Sequence, residues 1–82
     1  MSNVESIKSA ITELYNNAPS VHVNINTVRP KITVTNGEAV IKGVYANLFR
    51  IEERSLGYPR CHSIQYADVL IGKVQILELG SV

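Results

Sequence analysis

The chain has 82 residues, a net charge of +1 and 45% hydrophobic residues. This length fits one domain, spanning residues 1–82, because two separate cores would each bury too little apolar surface. The 18% of charged residues is low for a soluble domain, which favours a folded chain over a disordered one and leaves apolar surface for a partner or a homodimer to cover. The balance of charges excludes the strongly basic character typical of tight nucleic-acid binding.

The cysteine content and the apolar runs indicate the compartment. The single cysteine, Cys61, has no partner for an internal disulfide, and small secreted domains usually depend on several disulfides. No apolar run reaches the roughly 20 residues that span a bilayer. Residues 1–5 have neither the basic start nor the apolar stretch of a signal peptide. We therefore expect a cytoplasmic protein with no membrane association.

The N-terminal segment has the period of an amphipathic helix. Its apolar residues are three and four positions apart and share one face: Val4, Ile7, Ile11 and Leu14. Ser2 and Glu5 have the spacing of a capping box at the helix start. Pro19 stops the helix, because proline cannot continue the hydrogen-bond ladder. The pattern predicts a helix over residues 3–16, with its apolar face against a sheet.

From Val21 the period changes to two, which is typical of half-buried strands. Val21, Val23 and Ile25 alternate with polar residues in the first strand. A second run, residues 31–35, leads to Asn36-Gly37, the dipeptide that best suits a two-residue hairpin turn. The sequence therefore predicts a hairpin at this dipeptide, with residues 38–45 as the returning strand.

The remaining chain reads as short strands joined by tight connections. Gly43 lies inside a strand pattern, which indicates a bulge or a sharp bend. Asn47 predicts a turn before the strand at residues 48–53, and residues 55–59 form a loop. The end of the chain is predicted as three consecutive elements: a strand over residues 60–66, a helical corner over 66–70, and a closing strand over 74–79.

These elements predict a mainly β fold. Five or six short strands, an N-terminal helix and the lack of a crossover helix favour a small antiparallel barrel over residues 20–79. The alternative is an open α+β sheet with the helix on one face. The sequence shows no internal repeat and no domain linker.

The chain resembles the Veg family of small proteins from Gram-positive bacteria. The resemblance is carried by the N-terminal helical segment, the basic stretch near Arg29 and Lys31, the motif Tyr45–Phe49 and the motif Ser63–Leu70. It implies an SH3-like or Sm-like barrel without enzymatic activity. It also implies a role in stimulating biofilm formation by controlling transcription, through contact with a repressor protein.

The basic stretch departs from the family pattern. Where that pattern has a glycine followed by a run of Arg and Lys residues, this chain has only Arg29 and Lys31, separated by Pro30. The resemblance implies contact with phosphates or with an acidic partner surface, and it carries this role over to Arg29 and Lys31 alone.

The reactive side chains do not form a catalytic or metal-binding pattern. Cys61 and His62 are adjacent on a predicted strand and point to opposite faces, so they cannot share a proton. We expect Cys61 to pack as a small apolar group and His62 to be partly buried with one ring nitrogen hydrogen-bonded. We expect Asp68 to cap the helical corner and the Tyr66 hydroxyl to bond to the backbone. His22, Cys61 and His62 lack zinc-ligand spacing, so no catalytic residue, cofactor or metal is predicted.

The candidate binding surface comprises Arg29, Lys31, Arg54, Tyr58 and Arg60. Arg54, Tyr58 and Arg60 flank the longest loop, and loops on rigid scaffolds often carry binding. Cations and aromatic rings that could contact nucleic acid also occur elsewhere, at Lys42, Arg50, Lys73 and Tyr45. Acidic residues are interleaved with them, as on an ordinary solvated surface.

We expect a non-enzymatic interaction module that binds a protein partner, such as a transcription regulator. Small barrels offer grooves and strand edges to extended segments of other chains. One alternative is direct binding of nucleic acid, whose affinity would fall steeply with salt. A second alternative is a self-assembling structural protein.

Overall fold

A computed structural model describes residues 3–28, 31–55 and 57–79. Its elements follow the chain in this order: α1 (Val4–Asn17), β1 (Ser20–Val28), β2 (Lys31–Val44), β3 (Leu48–Glu53), β4 (Arg60–Gln65), α2 (Tyr66–Leu70), β5 (Val74–Ile76) and a 3-10 turn (Leu77–Leu79). The strands form one antiparallel sheet in the order β4-β3-β2-β1-β5. The predicted mainly β fold with an N-terminal helix is confirmed.

The helix α1 buries the predicted apolar face. Ile7 and Ile11 are fully buried and Leu14 packs against the core, whereas Val4 is 38% exposed. Asn3 caps the helix, since its side-chain Oδ1 accepts a hydrogen bond of 2.9 Å from the Ser6 N–H. The expected cap was Ser2, which lies outside the described residues. Asn3 serves equally well, because a short polar side chain directly before the first turn can accept a free N–H.

Replacing Asn3 with alanine is expected to lower the free energy of unfolding by about 1 kcal/mol, since an N-terminal N–H of α1 loses its side-chain acceptor. Asn3→Asp should retain the stability, because the carboxylate accepts the same bond and is favoured by the helix dipole. Urea unfolding followed by circular dichroism measures both changes. Equal stability of Asn3→Ala and the parent protein would contradict the assigned cap.

The predicted hairpin at Asn36-Gly37 is wrong, because β2 continues through this dipeptide. Val23 of β1 pairs with Gly37 and Ile25 pairs with Val34, so Asn24 faces two residues of β2 and the pair forms a β-bulge. Asn36 takes the positive φ of 51° that suggested a turn. Its N–H donates a 2.7 Å hydrogen bond to Oδ1 of Asn24. Asparagine, which tolerates positive φ, thus occupies a position inside a strand. The strands β1 and β2 form a hairpin of their own, whose last paired residues are Val28 and Lys31.

A second bulge in β2 lies at Gly43, where the sequence predicted a bulge or a sharp bend. Ile41 pairs with Ile51 and Gly43 pairs with Arg50, so β2 carries an extra residue between the two pairs. The turn predicted at Asn47 is also confirmed, with the Tyr45 N–H donating to the Leu48 carbonyl at 2.9 Å. Two bulges strengthen the twist of one long strand. Between the two bulges, Ala39 and Val40 pair with β1 on one side and with β3 on the other.

The core lies between the inner face of the sheet, α1 and α2. Its buried members are Ile7, Ile11, Val21, Val23, Ile25, Val34, Ala39, Ile41, Phe49, Ile51, Ile64, Tyr66, Val74 and Ile76. The rings of Phe49 and Tyr66 stack at a centroid distance of 5.6 Å. The Tyr66 hydroxyl donates a 2.6 Å bond to the Tyr45 carbonyl, which confirms its predicted tie to the backbone.

The two ends of the sheet do not meet in a hydrogen-bonded ladder. Within the described residues β4 pairs with β3 and β5 pairs with β1, so the closed ladder of a barrel is not found there. The closing strand is also shorter than predicted, because residues 77–79 turn into a 3-10 helix after Ile76. In this turn, Oε1 of Glu78 accepts a 2.8 Å hydrogen bond from the His22 N–H, and Oε2 lies 2.8 Å from Nδ1 of the His22 ring. This contact fastens the turn to β1.

Candidate functional site

The loop between β3 and β4 is held at both ends by ion pairs. At its start, the Arg54 guanidinium donates to Oε2 of Glu52 at 2.7 Å, and 58% of the Arg54 side chain is exposed. The hydrogen bond from Arg54 lowers the pKa of Glu52 below its ordinary value, against a smaller opposing effect of burial. Arg54, predicted as a binding cation, is therefore already paired with a neighbouring carboxylate.

At the other end of the loop Arg60 pairs with a fully buried carboxylate. Its guanidinium donates to Oε1 of Glu53 at 2.6 and 3.0 Å, and the backbone N–H and hydroxyl of Ser55 donate to Oε2. Glu53 is 0% exposed. Burial raises the pKa of this carboxyl, but the hydrogen bonds from Ser55 and Arg60 outweigh it and lower the pKa to about 2. The group is thus a buried anion whose role in the structure is to fix the loop.

His62 completes this cluster. Its Nε2 atom lies 3.5 Å from Oε1 of Glu53, and 12% of its side chain is exposed. The predicted partial burial is confirmed, but Nε2 has no hydrogen-bond partner among the residues described. Glu53, Arg60 and His62 face inward from β3 and β4, with Ser55 at the loop. We call Glu53, Ser55, Arg60 and His62 the Glu53 cluster.

Two other predicted binding residues, Tyr58 and Lys31, are exposed. Tyr58 is 56% exposed in the loop, and Lys31 is exposed at the start of β2 without an acidic partner in the described part of the chain. Arg29 lies outside the described residues. Arg54, Tyr58 and Arg60 thus lie in or beside the same loop, but both arginines form ion pairs with carboxylates. Of the four predicted binding residues that the structure describes, only Lys31 is a cation without an acidic partner in the described ranges.

Two predictions for side chains near β4 are wrong. Cys61 is exposed rather than packed, because it points to the outer face of an edge strand while His62 and Ile64 point inward. The Asp68 carboxylate makes no hydrogen bond to the residues described here. The backbone carbonyl of Asp68 instead accepts a 3.0 Å bond from the Lys73 N–H, so the backbone closes the corner after α2.

An open pocket of about 320 Å³ lies beside the unpaired edge of β4. It is lined on one side by residues 61–64 and on the other by Ile25, Thr27 and Ile32, with Asp68 and Val74 completing it. We call this pocket the β4 groove. The sheet therefore curls far enough for its two ends to face one another across a gap. Lys31 and Arg60 are chain neighbours of groove residues, which places them near its rim.

The groove combines an apolar floor with one carboxylate. Ile25, Ile64 and Val74 are buried beneath it, at 3%, 5% and 2% exposure. Asp68 is half-buried in its wall. Strand β4 pairs with a neighbour on one side only in the described region, so backbone N–H and C=O groups along its other side are free to pair.

The sequence pattern indicated part of this site. Glu53 has the same parity as Phe49 and Ile51 in β3, so its burial could have been predicted from the period of two. The β4 groove joins residues from five elements and has no local sequence signal. No cluster that could hold a metal ion occurs in the described residues, and none of their helices is long and apolar enough to cross a membrane.

Together these features define a small mainly β protein with an open sheet edge and no recognisable catalytic cluster in its described part. A family model described as "Biofilm formation stimulator VEG" matches residues 2–77. The chain therefore belongs to this family, as the resemblance of its motifs suggested. No curated protein and no solved structure matched the chain.

Proposed function

We propose that this protein stimulates biofilm formation as a non-enzymatic regulatory module, by binding an extended segment of a cytoplasmic protein that controls transcription. Membership in the biofilm-stimulator family supports the role in biofilm formation. The β4 groove supports the protein-binding mechanism. The groove is the observation that carries the proposal, because it places an unpaired strand edge beside an apolar floor.

An extended peptide fits the groove better than a compact ligand does. A strand added to β4 would satisfy the free backbone groups of this edge, and its alternate side chains would point into the apolar floor. The volume of about 320 Å³ is at the lower end for a small-molecule site, but it suits one or two side chains of a peptide.

The negative charge of Asp68 predicts the charge of the partner segment that binds in the β4 groove. Its carboxylate lines the groove, is half-buried and has no hydrogen bond within the described ranges. A lysine or arginine of the partner would pair with it, and a carboxylate at the same place would be repelled. The partner segment is therefore an alternating apolar sequence with one basic residue.

The Asp68→Lys variant is expected to lose most of the stimulation of biofilm formation, because it places a cation where a basic segment must bind. The variant and the parent protein are expressed in a biofilm-forming strain that lacks its own copy, and biofilm mass and matrix-gene transcripts are measured. Glu13→Lys, an equal charge change on the exposed face of α1, is the control and should retain activity. Matching urea midpoints show that both variants are folded.

A photo-crosslinking residue at position 63, in the wall of the groove, tests direct contact. A discrete adduct that forms with a transcription regulator, and that Asp68→Lys abolishes, supports the mechanism. An adduct of the mass of two chains identifies a second copy of this protein as the occupant and contradicts the regulatory partner. Full activity of Asp68→Lys, with no adduct at position 63, overturns the proposal.

A further inference from the structure

The outer face of the sheet carries an exposed aromatic ring over a glycine. A Cβ atom added to Gly43 would lie 2.7 Å from the Tyr45 hydroxyl oxygen and 2.9 Å from Cε2 and Cζ. Because Gly43 has no side chain, the ring lies directly against the backbone of β2. Tyr45 nevertheless remains 52% exposed. The sheet thus holds an aromatic ring in a defined place at its surface.

Arg50 is the cross-strand neighbour of the glycine beneath this ring. Gly43 pairs with Arg50, and Arg50 pairs with Ser63 on β4. Directly paired residues point to the same face of a sheet, with Cβ positions about 5 Å apart. Arg50 is exposed and has no acidic partner within the residues that the structure describes. The ring and an unpaired guanidinium therefore share one face, with the Ser63 hydroxyl beyond them.

The charges around Tyr45 favour an anion. Lys8 of α1 donates from Nζ to the Ala46 carbonyl at 3.4 Å. Lys42 lies 3.8 Å from Glu52, whose same carboxylate oxygen is bonded more closely by Arg54. Glu38, the acidic residue of β2, lies five residues before Gly43 and lines a pocket with Arg54. Lys8 thus places a second cation next to Ala46, the residue that follows Tyr45, although the net charge of the whole chain is only +1.

We propose that this face binds single-stranded nucleic acid, with one base stacked on the Tyr45 ring and the adjacent phosphate at Arg50. Base stacking on an aromatic side chain next to a cation is the common chemistry of sequence-tolerant single-strand binding. A duplex does not offer the face of a base to the ring. We call Tyr45 and Arg50 the stacking face. It lies on the opposite side of the sheet from the inward-facing Glu53 cluster and is separate from the contact with Asp68 in the β4 groove.

A labelled oligothymidine, titrated at low salt and followed by fluorescence anisotropy, tests this binding. Tyr45→Leu keeps an apolar side chain over Gly43 but removes the stacking surface, and it should weaken binding about tenfold. Tyr45→Phe keeps the ring and should bind like the parent protein. Arg50→Gln should weaken binding and reduce the slope of affinity against salt by about 0.7, the value for one lost single-strand phosphate contact.

Arg54→Gln is the matched control, because it removes a cation that is already paired with Glu52. A polyglutamate of similar length tests whether negative charge alone is sufficient. The proposal is overturned by any of three results: no binding at low salt, equal losses for Arg54→Gln and Arg50→Gln, or polyglutamate binding as tight as that of the oligonucleotide. Asp68→Lys should not weaken oligonucleotide binding, so failure of this site and failure of the β4 groove are distinguishable.

Discussion

Replacing Arg60 with methionine is expected to lower the free energy of unfolding by about 3 kcal/mol at neutral pH, because it leaves a buried carboxylate without its cation. Glu53 is 0% exposed and accepts two bonds from the Arg60 guanidinium. Methionine fills much of the same volume, so the change removes the charge more than the packing. Urea unfolding at pH 7 measures the loss as a shift of the midpoint.

Two further variants separate the buried pair from the exposed one. Arg54→Met removes the partner of Glu52 on the surface and should change the urea midpoint far less than Arg60→Met does, because exposed ion pairs contribute little to stability. The double variant Glu53→Leu/Arg60→Met removes both charges and should recover much of the stability that Arg60→Met loses. Equal losses from Arg54→Met and Arg60→Met would contradict the special role of the Glu53 cluster.

The period of two located most of the strands, but it divided β2 at Asn36-Gly37. In β3 the alternation of Phe49 and Ile51 is enough to define the buried face, and the same parity extends to Glu53. The pattern could not predict which hydrogen-bond donors stabilise the buried Glu53 carboxylate. The donors come from Ser55 in the loop and from Arg60 on the next strand. Only the pairing of β3 with β4 brings Arg60 to this place.

The dipeptide Asn36-Gly37 shows why local turn signals are ambiguous. Asparagine tolerates positive φ both in a hairpin turn and in a bulge. The choice depends on pairing across β1 and β2, since Asn24 accepts the Asn36 N–H and holds the bulge in register. The bend at Gly43 was easier to predict, because a glycine within a strand has few other uses.

The sequence indicated the residue types of the stacking face but gave no signal for the β4 groove. Tyr45 and Arg50 were recognisable as binding residue types, but their shared face follows from the register of β2 with β3. The β4 groove depends on the curl of the whole sheet, which brings Ile32 and Cys61 to one pocket. Both loop arginines are paired in the structure, Arg54 with Glu52 two residues before it and Arg60 with Glu53 across the β3–β4 pair.

Acid is expected to destabilise the protein through Glu53. The folded state lowers the pKa of this carboxyl from 4.5 to about 2. The unfolded chain therefore takes up a proton at a higher pH than the folded protein does. The stabilisation is fully present above about pH 5 and is lost as the pH falls towards 2, and it amounts to about 3 kcal/mol over this window. Urea midpoints measured from neutral pH down to this range follow the loss.

The Glu53→Gln variant identifies the group responsible. It should be less stable than the parent protein at neutral pH, because its amide cannot form the ion pair with Arg60. Its stability should fall less steeply with acid, since the main titrating group is gone. Glu13→Gln, on the exposed face of α1, should retain the parent slope. If Glu53→Gln and the parent protein lose stability in parallel, other carboxylates cause the acid sensitivity.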